Sequence, residues 1–228
     1  VNTIFTIFQT TLLFSCILIY QRGVQSFRQH KLTFQPYLIG IGGDSGVGKT
    51  TFSKIIESIF ESKNVTHIKG DDMHKWERGA PEWETVTHLD PKANHLHQEY
   101  AYLSSLKKGK AVFRRYYDHT IGKFSDPIKL NPKKILLFDG LHPFYIERLR
   151  DLYNLKIFIC PEKQLIQHWK IVRDQEKRGY SKEKVLDNLT RREKDSQKYI
   201  DVQSKYADIL IEIFSEKTIQ SIGDESEK

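Results

Sequence analysis

Gly43-Asp44-Ser45-Gly46-Val47-Gly48-Lys49-Thr50 decides how this chain folds. The run fits G-x-x-x-x-G-K-[ST], a loop whose backbone amides cradle phosphate oxygens. Its glycines let the chain bend and approach a ligand closely, and the positive end of the helix that follows attracts an anion. Lys49 is placed to reach the β- and γ-phosphates of a nucleoside triphosphate, and the Thr50 hydroxyl to meet Mg²⁺. The expected nucleotide-binding residues are thus Gly43, Asp44, Ser45, Gly46, Val47, Gly48, Lys49 and Thr50 with the adjoining Thr51. Thr50 is also an expected metal ligand.

The flanks suit this loop. Tyr37-Leu38-Ile39-Gly40-Ile41-Gly42 reads as a short buried strand, and Phe52, Ile55, Ile56 and Ile59 then recur at helical spacing. Further strands are expected at 65–69, 134–138, 155–159 and 208–214, and helices at 95–108, 164–177 and 182–198. Alternating strands and helices imply an α/β fold with a mainly parallel sheet, which binds ligands beyond the carboxyl ends of its strands. Residues 70–94 form a long polar, turn-rich stretch, and connections of that length usually bind something.

The 228 residues, 29% charged and 39% hydrophobic, suffice for one domain with a core. The net charge of +7 comes from scattered lysines and arginines without a dense basic tract, which fits an anionic small molecule better than nucleic acid. Cys16 and Cys160 make no disulfide framework or metal spacing, which points to a reducing compartment, the cytoplasm. Residues 1–20 are largely apolar, near the minimum for a bilayer span, and Arg22, Arg28, His30 and Lys31 follow. Three readings stand: a membrane anchor with the domain inside, the last span of a longer membrane protein, or an extension packed on the surface. The expected organisation is an apolar segment at 1–20, a linker at 21–35, a kinase domain at 36–216 and a polar tail at 217–228.

Phosphoryl transfer needs more than the loop. Asp139 ends the strongest apolar strand, where a carboxylate can orient Mg²⁺ or its waters. Asp71 and Asp72 follow the second strand, and either can serve as the general base that takes an acceptor proton. Lys170, Arg173, Asp174 and Arg178 share a helix face, and Arg191 and Arg192 follow; the choice there is between a cationic lid over a triphosphate and an ordinary solvated face. His88, His95 and His97 match no zinc spacing.

These residues together resemble the phosphoribulokinase/uridine kinase family, over about residues 37–214. The resemblance runs through Gly43–Thr50, Asp71-Asp72-Met73-His74, Val86 to Asn94, Tyr117 to Gly122, Asp139-Gly140-Leu141-His142-Pro143, Trp169 to Asp174, Arg178-Gly179 and Tyr206-Ala207-Asp208. It is nearest to the plant and cyanobacterial type of phosphoribulokinase. The resemblance implies a three-layer P-loop fold with a helical lid, preceded here by the apolar N-terminal segment as a helix. It implies ATP and Mg²⁺ as cofactors and a small sugar phosphate or nucleoside as acceptor. It makes Asp71 rather than Asp72 the base, with Lys49, Lys170, Arg173, Asp174 and Arg178 catalytic. Substrate contacts then fall on His74, Arg78, His119 and Arg191. Val47 and Lys69 or Gly70 stand where the thiol-regulated plant enzymes carry cysteine, so thiol regulation is not expected. Those enzymes also continue past the Tyr-Ala-Asp strand and lack an apolar N-terminal segment, which sets a photosynthetic role in doubt. Asp139 stands where many relatives carry Glu. A nucleoside kinase, with Trp83, Tyr116 and Tyr117 supplying rings, a membrane-tethered ATP-binding module without turnover, and a homo-oligomer remain open.

Overall fold

A computed structural model describes residues 35–216, with the side chains of Lys177 and Arg178 excepted. The expected N-terminal helix or anchor and the whole polar tail lie outside the described residues. Among the described residues no helix is long and apolar enough to cross a membrane.

Strand β1 (Tyr37–Gly42) is buried along its whole length. The reason is its place in the sheet: β2 (Val65–Lys69), β7 (Ile135–Asp139), β1, β8 (Leu155–Pro161) and β9 (Ile209–Ile213) lie side by side in that order. Every pair in this sheet is parallel. Such sheets are covered on both faces, which is why β1 and β7 are continuous apolar runs rather than alternating ones. On one face Ile39, Ile41, Ile135 and Leu137 pack with Phe52 and Ile56 of helix α1 (Lys49–Ile59). On the other, Leu38, Leu136 and Phe138 pack with Leu103 and Leu106 of helix α2 (Leu96–Lys107). Helices on both faces make the three-layer α/β/α arrangement.

Two antiparallel ribbons, with strands too short to show a periodicity, follow α2. Strand β3 (Val112–Arg114) pairs with β6 (Ile128–Leu130), and β4 (Tyr117–Asp118) with β5 (Lys123–Phe124). A short helix α3 (Glu147–Arg150) leads into β8. Helix α4 (Lys163–Arg178) ends on Gly179, whose φ of 65° suits a left-handed cap, and Ser181 caps helix α5 (Lys182–Asp195) through its hydroxyl. The helix expected to run to 198 instead loosens after Asp195 into a π turn at Ser196–Ile200 and a 3₁₀ turn at Asp201–Tyr206. Residues 70–94 hold three short 3₁₀ turns, Gly70–Met73, Pro81–Glu84 and Pro91–Ala93.

Candidate active site

β1 delivers the chain into the phosphate loop at the carboxyl end of the sheet. Gly43 has a φ of 145°, and a Cβ there would stand 2.6 Å from the Ile159 carbonyl oxygen. Only glycine fits at that approach. Gly48 precedes α1 with a φ of 94° and no side-chain cap, so the first-turn amides are left to the loop's ligand. Val47 is buried against the core, so the loop's one apolar side chain anchors it.

Lys49 reaches back over the loop and donates to the carbonyl oxygens of Gly43 (2.9 Å) and Asp44 (2.7 Å). Burial lowers its pKa, while the carboxylates of Asp71, Asp139 and Asp44 hold it up and Lys170 pushes it down. Asp44 ties loop to lid: its Oδ2 lies 3.0 Å from Lys170 Nζ on α4 and accepts from Ser196 Oγ at 3.3 Å. Gly46 faces the same helix, since a Cβ there would stand 3.0 Å from Lys170 Cγ and 3.2 Å from Arg173 Nη1.

The loop forms one wall of a cleft of about 750 Å³. Ser45, Lys49, Thr50, Thr51 and Asp139 line it on the nucleotide side, and Asp71, His74, Arg78, Trp83, Tyr117 and His119 on the other. The two acids after β2 part company. Asp71 opens on the cleft, where His119 Nε2 stands 3.1 Å from its Oδ2 and His74 Nε2 3.8 Å from its Oδ1. Burial would raise the Asp71 carboxyl, but the His119 hydrogen bond and the charges of His74, His119 and Lys49 outweigh it and hold it below the usual carboxylate range. Asp72 turns into the core, accepts from the Tyr117 amide (2.8 Å) and faces Arg114 Nη2 at 3.4 Å. Burial raises its pKa.

His74 is fixed from behind. Asn94 donates its amide to the carbonyls of His88 and Asp90, so its Oδ1 accepts from His74 Nδ1 at 2.8 Å. Arg78 lines the cleft, and its guanidinium is held by the carbonyls of His119 and Thr120. Arg191 likewise lines the cleft while clamping the carbonyls of Trp83 and Glu84. With the hydrogen bond from Thr87 Oγ1 to Asp195 Oδ2 (2.6 Å), it binds α5 to the 79–88 segment.

Asp139 is buried at the end of β7. Its Oδ2 accepts from Ser53 Oγ at 2.8 Å and lies 2.7 Å from His67 Nε2. The sequence reading missed both partners. Ser53 carried a signal, lying one helical turn beyond Lys49 on α1; His67 carried none until β2 was known to adjoin β7. Also missed were Tyr180, Lys184 and Asn188, which with Arg192 line the cleft from the lid. Arg173 lines the cleft and pairs with Asp174 (2.8 Å); Asp174 is buried and, like Lys170, lies behind the lining rather than in it. Arg178 ends α4, and its side chain is outside the described residues. Tyr116 does not line the cleft, whereas Trp83 and Tyr117 do. Among the described residues no group of three or more His, Cys, Asp and Glu could hold a metal by themselves.

Comparisons with known proteins identify the family and the fold. The family profile described as Phosphoribulokinase / Uridine kinase family matches residues 38–220. A phosphoribulokinase of Synechocystis sp. is 35% identical over 183 residues, covering 80% of this chain and 55% of that protein. A uridine kinase of Brevibacillus brevis is 31% identical over 180 residues, covering 77% of this chain and 84% of that protein. The solved structure of phosphoribulokinase from Rhodobacter spheroides superposes with a TM-score of 0.65 at 23% identity, over 78% of this chain and 70% of that one, and so shares the fold. The chain spans about half the length of the curated phosphoribulokinases it matches. The family match spans the sheet from β1 to β9, and the chain belongs to the phosphoribulokinase/uridine kinase family.

Proposed function

We propose that this chain is an ATP-dependent kinase that phosphorylates a hydroxyl of a small sugar phosphate, ribulose 5-phosphate or a related acceptor. The observation that carries it is the shared cleft of Lys49 and Asp71, with His74 and His119 on the acceptor side. Asp71 takes the acceptor proton, being ionised at neutral pH as a general base must be. Lys49, Arg173 and the inward-facing Lys184 and Arg192 meet the negative charge of the transferring phosphoryl group. His74, Arg78, His119 and Arg191 orient the acceptor, and closure of the α4–α5 lid excludes water.

The residues at Thr50 and Asp139 fit Mg²⁺, a hard cation that prefers oxygen donors. Both hydrogen bonds from Ser53 and His67 fall on Oδ2 of Asp139, which leaves Oδ1 for the ion or its water. When bound, such an ion would neutralise charge on the β- and γ-phosphates.

A nucleoside acceptor is the second reading. Trp83 and Tyr117 line the cleft and can take a base, and the uridine kinase of Brevibacillus brevis is matched over most of its length. A coupled ADP-release assay with ribulose 5-phosphate, uridine and related sugars separates the two, and absence of turnover with every acceptor rejects the kinase itself. Membrane attachment through residues 1–20 is a separate part of the proposal, tested by whether deleting residues 1–30 releases the chain from membranes.

A further inference from the structure

Beneath Asp71 lies a second cavity of about 10 Å³, the volume that admits one water molecule. Asp71, Asn94, Glu99 and His142 supply its polar wall, and Phe138 and Leu141 are among its apolar ones. Asp71 also lines the main cleft, so this residue stands between the two spaces. Helix α2 carries Glu99 on its buried face with Leu96, Leu103 and Leu106. Glu99 is 3% exposed, and its Oε1 has no hydrogen-bond partner among the described residues. A buried carboxyl oxygen left unpaired calls for a water or a functional reason.

The other walls are matched to a water. His142 Nε2 lies 2.7 Å from the Leu89 carbonyl oxygen, which only accepts, so Nε2 carries the hydrogen. Burial pushes the ring's pKa down to about 4, so at neutral pH it is uncharged and Nδ1 is an acceptor. Asp71 is ionised and accepts.

We propose that this cavity binds one ordered water, which bridges the Glu99 carboxyl to the Asp71 carboxylate from the side away from the cleft, making Glu99 a positioning residue for Asp71. The water accepts from the Glu99 hydroxyl and donates to Asp71 and to His142 Nδ1. Burial raises Glu99 to about 8, which keeps that hydroxyl protonated and puts no second negative charge behind the base. With His119 and His74 on its cleft side, Asp71 is then held from both sides. The inference rests on Asp71 being the base.

The test uses the whole chain as Glu99→Gln and Glu99→Leu beside the wild type. Gln keeps a donor for the water, and kcat stays within about twofold of wild type; Leu removes it, and kcat falls about tenfold or more while KM for ATP is unchanged. A high-resolution crystal structure of the wild type shows density for one water in the cavity. A folded Glu99→Leu chain with wild-type kcat, a Gln variant as impaired as Leu, or a dry wild-type cavity overturns the proposal. If Glu99→Leu does not fold, Glu99→Gln and the wild-type density decide. A wild type that phosphorylates no acceptor defeats the reading of Asp71 as base, while the density still decides whether the water is there.

Discussion

His119 Nε2 stands 3.1 Å from Asp71 Oδ2, although the two residues come from different parts of the fold, the β4–β5 ribbon and the turn after β2. The ribbon therefore completes the surroundings of the proposed base. Replacing Asp71 by Asn removes the proton acceptor and leaves the phosphate loop intact. The expected outcome is a loss of about 10²- to 10⁴-fold in kcat with ATP affinity by calorimetry unchanged.

His119→Ala tests the same contact through pH. The His119 hydrogen bond and charge lower the Asp71 pKa against the opposing effect of burial, so removing the ring raises it. A base with a higher pKa becomes protonated at higher pH as the solution is acidified. The acid limb of the kcat profile should thus move upward, so that beyond the pH-independent loss of an acceptor contact the variant loses proportionally more of its rate at acid than at neutral pH. An unmoved acid limb would show that His119 does not tune the base.

Asp44 and Lys170 form an ion pair between loop and lid with little exposure at either end. Breaking one partner leaves the other charge buried, which costs roughly 3 kcal/mol, whereas replacing both by neutral groups costs much less. Lys170→Met alone should therefore lower stability in urea by about that amount and raise KM for ATP. Asp44→Asn with Lys170→Met should recover much of the stability, and a double-mutant cycle measures the coupling.

Gly122 lets the β4–β5 ribbon lie on the segment that carries Arg78. It has a φ of 74°, its carbonyl accepts from the Arg78 amide at 2.9 Å, and a Cβ there would collide with Arg78 Cβ. Gly122→Ala should push the ribbon outward and carry His119 away from Asp71. We expect about a tenfold fall in kcat with ATP binding by calorimetry unchanged, because the phosphate loop lies on the opposite wall.

How much of this was legible depended on whether the chemistry was local. The phosphate loop is written in consecutive residues whose glycines have one physical reason, and β1 and β7 announced a doubly covered sheet by being apolar throughout. Asp71 and Asp72 could not be told apart by position: their separate fates depend on Arg114 and His119, brought up from the ribbons by tertiary folding. His67 depends on strand order in the same way. Glu99 was legible in retrospect, three residues after Leu96 and four before Leu103 on the apolar stripe of α2, but a Glu among polar neighbours reads as a surface residue until that stripe is weighed.

Glu99 also sets a dependence of stability on pH. Burial raises its carboxyl from 4.5 to about 8, against the pull of Arg114 on β3 and with the push of Asp72 and Asp71 on the turn. Tyr153 faces it from the segment before β8, and the uncharged His142 shares the small cavity. Between pH about 4.5 and 8 the folded chain keeps a proton that the unfolded chain has released. The stability that this proton contributes is thus complete below pH about 4.5 and is lost as pH rises toward 8, by on the order of a few kcal/mol. Glu99→Gln cannot titrate, so its advantage over the wild type in urea unfolding should be near zero at pH about 4.5 and grow steadily toward pH 8. Parallel stability profiles for the two chains would show that Glu99 ionises normally in the folded protein.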